Sequence, residues 1–151
     1  MEGNTQIPEK IFLRRIYEEH VIPVRETKGT EKFADGGVFD EVSGVKLPDS
    51  EAKPTSATQA AVWDMGTGKF TEIFGALGNN RKFWTESQVV AFCIDNRERL
   101  LKGGHAGFFE LEGGLVAYVH SKGGKLLVTV YELSLDFTWS SEDQNRLVSL
   151  V

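Results

Sequence analysis

GFFELEGGLVAYVHSKGGKLLVTVYELSL, residues 107–135, is the stretch that decides the fold. Two glycine pairs, Gly113-Gly114 and Gly123-Gly124, divide it into three runs rich in aromatic and β-branched residues. Such side chains suit a pleated surface, and glycine reaches positive φ at no steric cost. Each pair therefore reads as a tight turn, and the whole as a three-stranded antiparallel meander. With two-residue turns, Val119 stands opposite Val128 and Phe108, and Ala117 opposite Val130. The other face then carries Phe109, Leu111, Val116, Tyr118, His120, Leu127, Thr129 and Tyr131. Both faces are apolar, and one helix shelters only one of them. Another element of the chain, or another subunit, is expected to cover the second.

Upstream lies the clearest helix, expected over residues 85–102. Thr85-Glu86-Ser87-Gln88 is a capping box, in which the Thr85 hydroxyl and the Gln88 side chain satisfy each other's backbone N–H. Gly103-Gly104 marks its end. A second helix is expected over 8–22, PEKIFLRRIYEEHVI: Pro8 suits a first helical position, Phe12, Leu13, Ile16 and Tyr17 recur at helical spacing, and Pro23 stops it. Residues 25–58, with Gly36-Gly37, Pro48 and Pro54, read as a loop-rich connection holding one or two short strands. The tail offers one further strand at Leu147–Leu150. The expectation is a single α+β domain over 1–151, with an antiparallel sheet of four to six strands packed on the 85–102 helix and the 8–22 helix nearby.

AVWDMGTGKFTEIFG, residues 61–75, holds a Gly-x-Gly-Lys run that invites comparison with a phosphate-binding loop. That loop needs a first glycine where Trp63 stands, a hydroxyl after the lysine where Phe70 stands, and a following helix. FTEIFG has residues of strand type two apart, so the stretch reads as a hairpin turn instead.

Composition narrows function further. The chain of 151 residues is 40% hydrophobic and 26% charged, as a globular domain is, and carries a net charge of −5. That balance, with scattered Lys and Arg, disfavours nucleic acid, and no run suffices for a membrane-spanning helix or a secretory signal. The expected location is cytoplasmic. One cysteine, Cys93, permits no internal disulfide, and its place on the helix's apolar side reads as a small core residue. His20, His105 and His120 show no metal-ligand spacing, and no metal or cofactor is expected. Glu110 and Glu112 share a strand face, where charge deters edge-to-edge association more often than it does acid–base work.

No intact catalytic motif remains. The expected function is non-enzymatic binding through self-association or a protein partner, with Phe109, Leu111, Val116 and Leu127 as interface residues. The alternative is a small-molecule binder or enzyme with a pocket near 103–109, using His105, Tyr118, His120 and Tyr131.

Overall fold

A computed structural model describes residues 13–16, 21–34, 37–48, 53–98, 100, 107–143 and 145–151. In chain order, β1 (Leu13–Ile16), β2 (Ile22–Val24), β3 (Thr27–Lys28) and β4 (Glu41–Gly44) come first. β5 (Pro54–Thr55), β6 (Thr58–Met65), α1 (Phe70–Gly75) and α2 (Glu86–Asp95) follow. β7 (Gly107–Leu111), β8 (Leu115–Lys122), β9 (Lys125–Glu132), a 3-10 turn at Ser141–Asp143 and β10 (Arg146–Leu150) come last. The main sheet has eight strands in the order β1-β6-β10-β7-β8-β9-β4, with β2 also paired to β6, beyond β1. Its pairings are antiparallel except β10 with β7 and β9 with β4. The architecture is mixed α+β with a mainly antiparallel sheet, larger than the four to six strands expected.

The turn at Gly123-Gly124 has positive φ at both residues (60° and 78°) and sets Val119 opposite Val128. The loop between β7 and β8 differs. It includes Glu112, so Leu111 pairs with Leu115, and Phe108 with Tyr118 rather than with Val119. A slip of one residue exchanges the faces of a strand. Phe109 and Leu111 therefore join Ala117, Val119, Val128 and Val130 beneath α2, and Phe108 turns to the opposite face beside Val116.

Each face is sheltered by the chain itself. On the first, α2 sets Val89, Val90, Phe92 and Cys93 into a cluster with Phe33, Val38 and Phe39 from the approach to β4. The capping box forms as the sequence implies, with Gln88 N–H donating to the Thr85 hydroxyl at 3.1 Å and Thr85 N–H to Gln88 Oε1 at 3.0 Å. The helix is interrupted at Asn96 (φ −121°), whose side-chain amide donates to the Phe92 carbonyl at 2.8 Å, and residues 97, 98 and 100 are helical again, the Leu100 N–H donating to the Asn96 carbonyl at 3.0 Å. Residues 101–102 lie outside the described residues. On the second face, Phe70, Ile73 and Phe74 of α1 pack with Trp139 over Phe108, Val116 and Leu147. The centre of the sheet thus needs no other subunit to cover it.

α1 replaces the second strand of the expected hairpin. Phe70, Ile73 and Phe74 recur at helical spacing, which gathers all three on one buried side, whereas strand alternation would set Ile73 opposite the two phenylalanines. Glu72 accepts from the Lys69 N–H at 3.0 Å and closes the first turn. Strand, glycine loop and helix do succeed one another here, but the chain's own carboxylate occupies the helix start. Lys69 pairs with Asp136 at 2.7 Å, and Phe70 is buried where a metal-binding hydroxyl would be needed.

Within the helix expected over 8–22, residues 8–12 and 17–20 lie outside the described residues, while Leu13–Ile16 and Ile22–Val24 are strands. Both lie along β6, whose buried backbone groups need partners. Long-range pairing there overrides a local helical pattern. Residues 25–58 likewise contain β3, β4 and β5.

β10 and β7 pair only through Arg146 with Gly107 and Leu147 with Phe108. Beyond that they diverge, and residues 82–84 fill the gap, Lys82 bridging to Leu150 and Trp84 to Leu111. The Trp84 N–H donates to the Glu110 carbonyl and its indole N–H to the Val148 carbonyl, both at 2.9 Å. This wedge ties residues 82–84 to both strands.

β4 depends on Gly44, at φ 89°, where an added Cβ would meet the main-chain N and O of Val130. Gly44→Ala is expected to lower stability by more than about 1 kcal/mol, since left-handed backbone alone costs an L-residue that much. Amide exchange should quicken at Asp40 and Val45, which donate to Leu126 and Val130 of β9, while β7 and β8 stay protected. Unchanged exchange at those two amides would show that β4 accommodates the methyl group.

Candidate functional site

Three of the four ligand residues expected from the sequence come together on the second face of β8 and β9. Tyr118 stacks on His120 with ring centroids 4.6 Å apart, and Tyr131 lies 6.0 Å from Tyr118. Cross-strand pairing explains the proximity, because Tyr118, His120, Leu127, Thr129 and Tyr131 alternate onto one face in register. His105 lies outside the described residues. So do 103–106 of the expected 103–109 pocket, while Phe108 and Phe109 are buried in a central strand.

The segment after β9 completes this face. Trp139 reaches Tyr118 (5.4 Å), Tyr131 (5.8 Å) and Phe108 (4.8 Å), and Phe137 stands edge-on to it at 4.7 Å. Phe137 is 51% exposed, whereas Tyr118, His120, Leu127 and Tyr131 are half-buried. The result is a continuous aromatic strip, open to solvent over β8 and β9 and closed at its root. The Trp139 indole N–H is buried there without a hydrogen-bond partner. Burial raises the Tyr118 phenol above its ordinary value, helped by Tyr131 and Asp143. Burial also lowers His120, with Lys122 adding to the effect and Glu41 opposing it. His120 is thus held towards its neutral form, which suits a stacking surface.

Of the interface residues expected from the sequence, Phe109, Leu111 and Val116 are fully buried inside the chain's own core. The slipped β7 register put Phe109 and Leu111 under α2, and α1 with Trp139 covers Val116. Leu127 alone remains at a surface, within the aromatic strip.

A second arrangement went unseen in the sequence. Arg81, carried on the wedge, chelates Glu110 through Nε to Oε1 (2.7 Å) and Nη2 to Oε2 (3.1 Å), and its Nη1 donates to the Gly78 carbonyl at 3.0 Å. The Glu110 side chain is 4% exposed and that of Arg81 20%. Glu110 therefore serves as the buried anchor of a cation and not as an edge charge, and Glu112 pairs separately with Lys53 at 2.8 Å. Next to Arg81 a cleft of about 310 Å³ opens between residues 77–82 and strands β6 and β10. Trp63 forms one wall, fixed by its indole N–H donating to the Ser149 hydroxyl at 2.9 Å.

Cys93 is buried and its thiol pushed far above its ordinary value by desolvation, which removes the thiolate a nucleophile needs. Among the described residues no three His, Cys, Asp or Glu side chains are grouped to hold a metal ion, and no helix is long and apolar enough to cross a membrane. No family model, curated protein or solved structure matches the chain.

Arg81→Met leaves the Glu110 carboxylate buried without its cation and should cost about 3 kcal/mol of stability. Replacing both partners, Arg81→Met with Glu110→Leu, should recover most of that loss. A double variant no more stable than the single one, measured by urea unfolding, would contradict an ion-pair role.

His120 titrates below its ordinary 6.5 in the folded chain. The unfolded chain therefore takes up this proton at higher pH. Its contribution to stability is fully present above about pH 6.5 and is lost as pH falls through the lower folded value. Stability should accordingly fall less between about pH 7.5 and 5 in His120→Gln than in the native chain. Identical pH slopes would show that His120 is not desolvated.

Proposed function

We propose that this chain is a non-enzymatic binding protein that works through protein contact, either with a second copy of itself or with another protein. The observation that carries this reading is the aromatic strip of Tyr118, His120, Tyr131 and Phe137, open to solvent on the face of the sheet opposite α2. Rigid aromatic rings bury much area on contact at little cost in conformational entropy, and they are enriched where proteins meet. Leu127 and Thr129 extend the strip towards β4 on the same face. The contact surface is thus one strand pair further out than the sequence alone implied, on the side opposite α2.

Sedimentation velocity over a wide concentration range is expected to show a reversible dimer. Phe137→Ala, at an exposed position, should weaken it by about 2 kcal/mol, or ~30-fold. A chain that is monomeric throughout restricts the reading to a different protein partner. In that case the partners captured by proximity labelling should be lost in Thr129→Lys, and labelling unchanged by that variant would refute the reading.

A further inference from the structure

We propose that the aromatic strip over β8 and β9 takes a proline-rich segment of another protein, held in the polyproline II conformation. This rests on the protein-contact reading above and names the chemistry of the partner. The floor of the strip lies inside the sheet, where β8 pairs with β7 and β9, and β9 with β8 and β4. The main-chain groups of both strands are engaged in that pairing, so an extended segment laid across them cannot join as a further strand. An ordinary peptide would bury N–H groups here that find no main-chain acceptor in the floor, at a cost for each one left unpaired. Proline has no N–H to leave unpaired.

The strip itself offers donors. Among the described residues none hydrogen-bonds to the Tyr118 hydroxyl, the Tyr131 hydroxyl or the His120 ring, and the Trp139 indole N–H has no acceptor either. A polyproline II helix makes no internal hydrogen bonds, so its carbonyls form a row of free acceptors on an apolar body. Its rings pack into aromatic-lined surfaces, and a chain already extended and stiff loses little freedom on binding. The dimensions match as well. Tyr131 stands opposite Val116, four residues along β8 from His120, so the strip runs about 13 Å in the strand direction. A polyproline II helix returns to the same face every three residues, about 9 Å along its axis. Two prolines of one face therefore rest on the strip together, one by His120 and Tyr118, the next by Tyr131 and Phe137. The charges at the border are mixed, with Glu41 beside Leu127 and Asp143 near Tyr118 set against Lys122 near His120, and they call for neither sign in the ligand. The four prolines of this chain, Pro8, Pro23, Pro48 and Pro54, are scattered, so the segment belongs to a different protein.

The test is NMR titration of the full chain with end-capped octaproline and with an end-capped Gly-Ser octapeptide. Octaproline is expected to give saturable shifts at the amides of Tyr118, His120 and Tyr131 and at the Trp139 indole N–H, with the Trp84 indole still, and the Gly-Ser peptide none that saturate. The Tyr131 hydroxyl bonds nothing within the chain, so Tyr131→Phe should fold as the native chain does and bind about fivefold more weakly, the worth of one hydrogen bond. Self-association through the same rings should give way to the peptide. Equal binding of the two peptides, shifts away from the strip, absence of saturation by octaproline, a dimer undisturbed at saturating octaproline, or native affinity in both Tyr131→Phe and Tyr118→Phe would each overturn the proposal. The wider reading is decided separately by the Thr129→Lys labelling: partners lost in that variant while octaproline stays inert would leave protein contact standing and remove the proline-rich partner.

Discussion

The pairing of β10 between β6 and β7 holds the two halves of this chain in one sheet. On one side it runs antiparallel to β6, from Arg146 opposite Asp64 to Leu150 opposite Ala60. On the other it touches β7 through only two residue pairs before the strands part. A buried strand edge leaves backbone groups that must find partners. The 82–84 segment supplies them, and in doing so it fixes Trp84 in the core and Arg81 above Glu110. Core cluster, buried ion pair and cleft all follow from that one divergence.

The sheet would be an unstable object without cover on both faces, since Phe108, Phe109, Leu111, Val116, Val128 and Leu147 are all withdrawn from water. Fully burying a side chain of this kind stabilises by about 1.5–3 kcal/mol. Two short helices achieve it because they work on opposite sides, α2 over the β7–β9 meander and α1 with Trp139 over β10, β7 and β8. The outer part of the second face, over β8 and β9, is left partly open. The aromatic strip is what the cover does not reach.

Local chemistry made part of this legible in the sequence. The capping box at Thr85–Gln88, the positive-φ turn at Gly123-Gly124 and the strand character of residues 107–132 depend on neighbours a few positions apart. The failures share a cause too. Whether Glu112 belongs to a strand or a loop reverses which of Phe108 and Phe109 faces α2, and composition does not register a single-residue difference. Phe70 and Phe74, four apart, satisfy both periods, and only the burial of Ile73 beside them, in the packing against Phe108, separates helix from strand. Leu13–Ile16 has a helical pattern but lies on a distant edge of β6. Tyr118, His120 and Tyr131 could be set on one face from sequence because cross-strand register is local to a hairpin. Arg81 and Glu110, twenty-nine positions apart, could not be paired, because only the wedge brings them together.

The central place of β10 also governs how the chain matures. Translation produces β6 early and β10 after every other described strand, so the inner border of β6 waits, with its amides and carbonyls unsatisfied, through the synthesis of the entire meander. Until residues 146–150 emerge, the growing polypeptide presents a sticky, half-built sheet to its surroundings. The inner border of β6 is therefore completed only by a segment made about eighty residues after it, so the closing of this sheet is among the last events of its folding during synthesis.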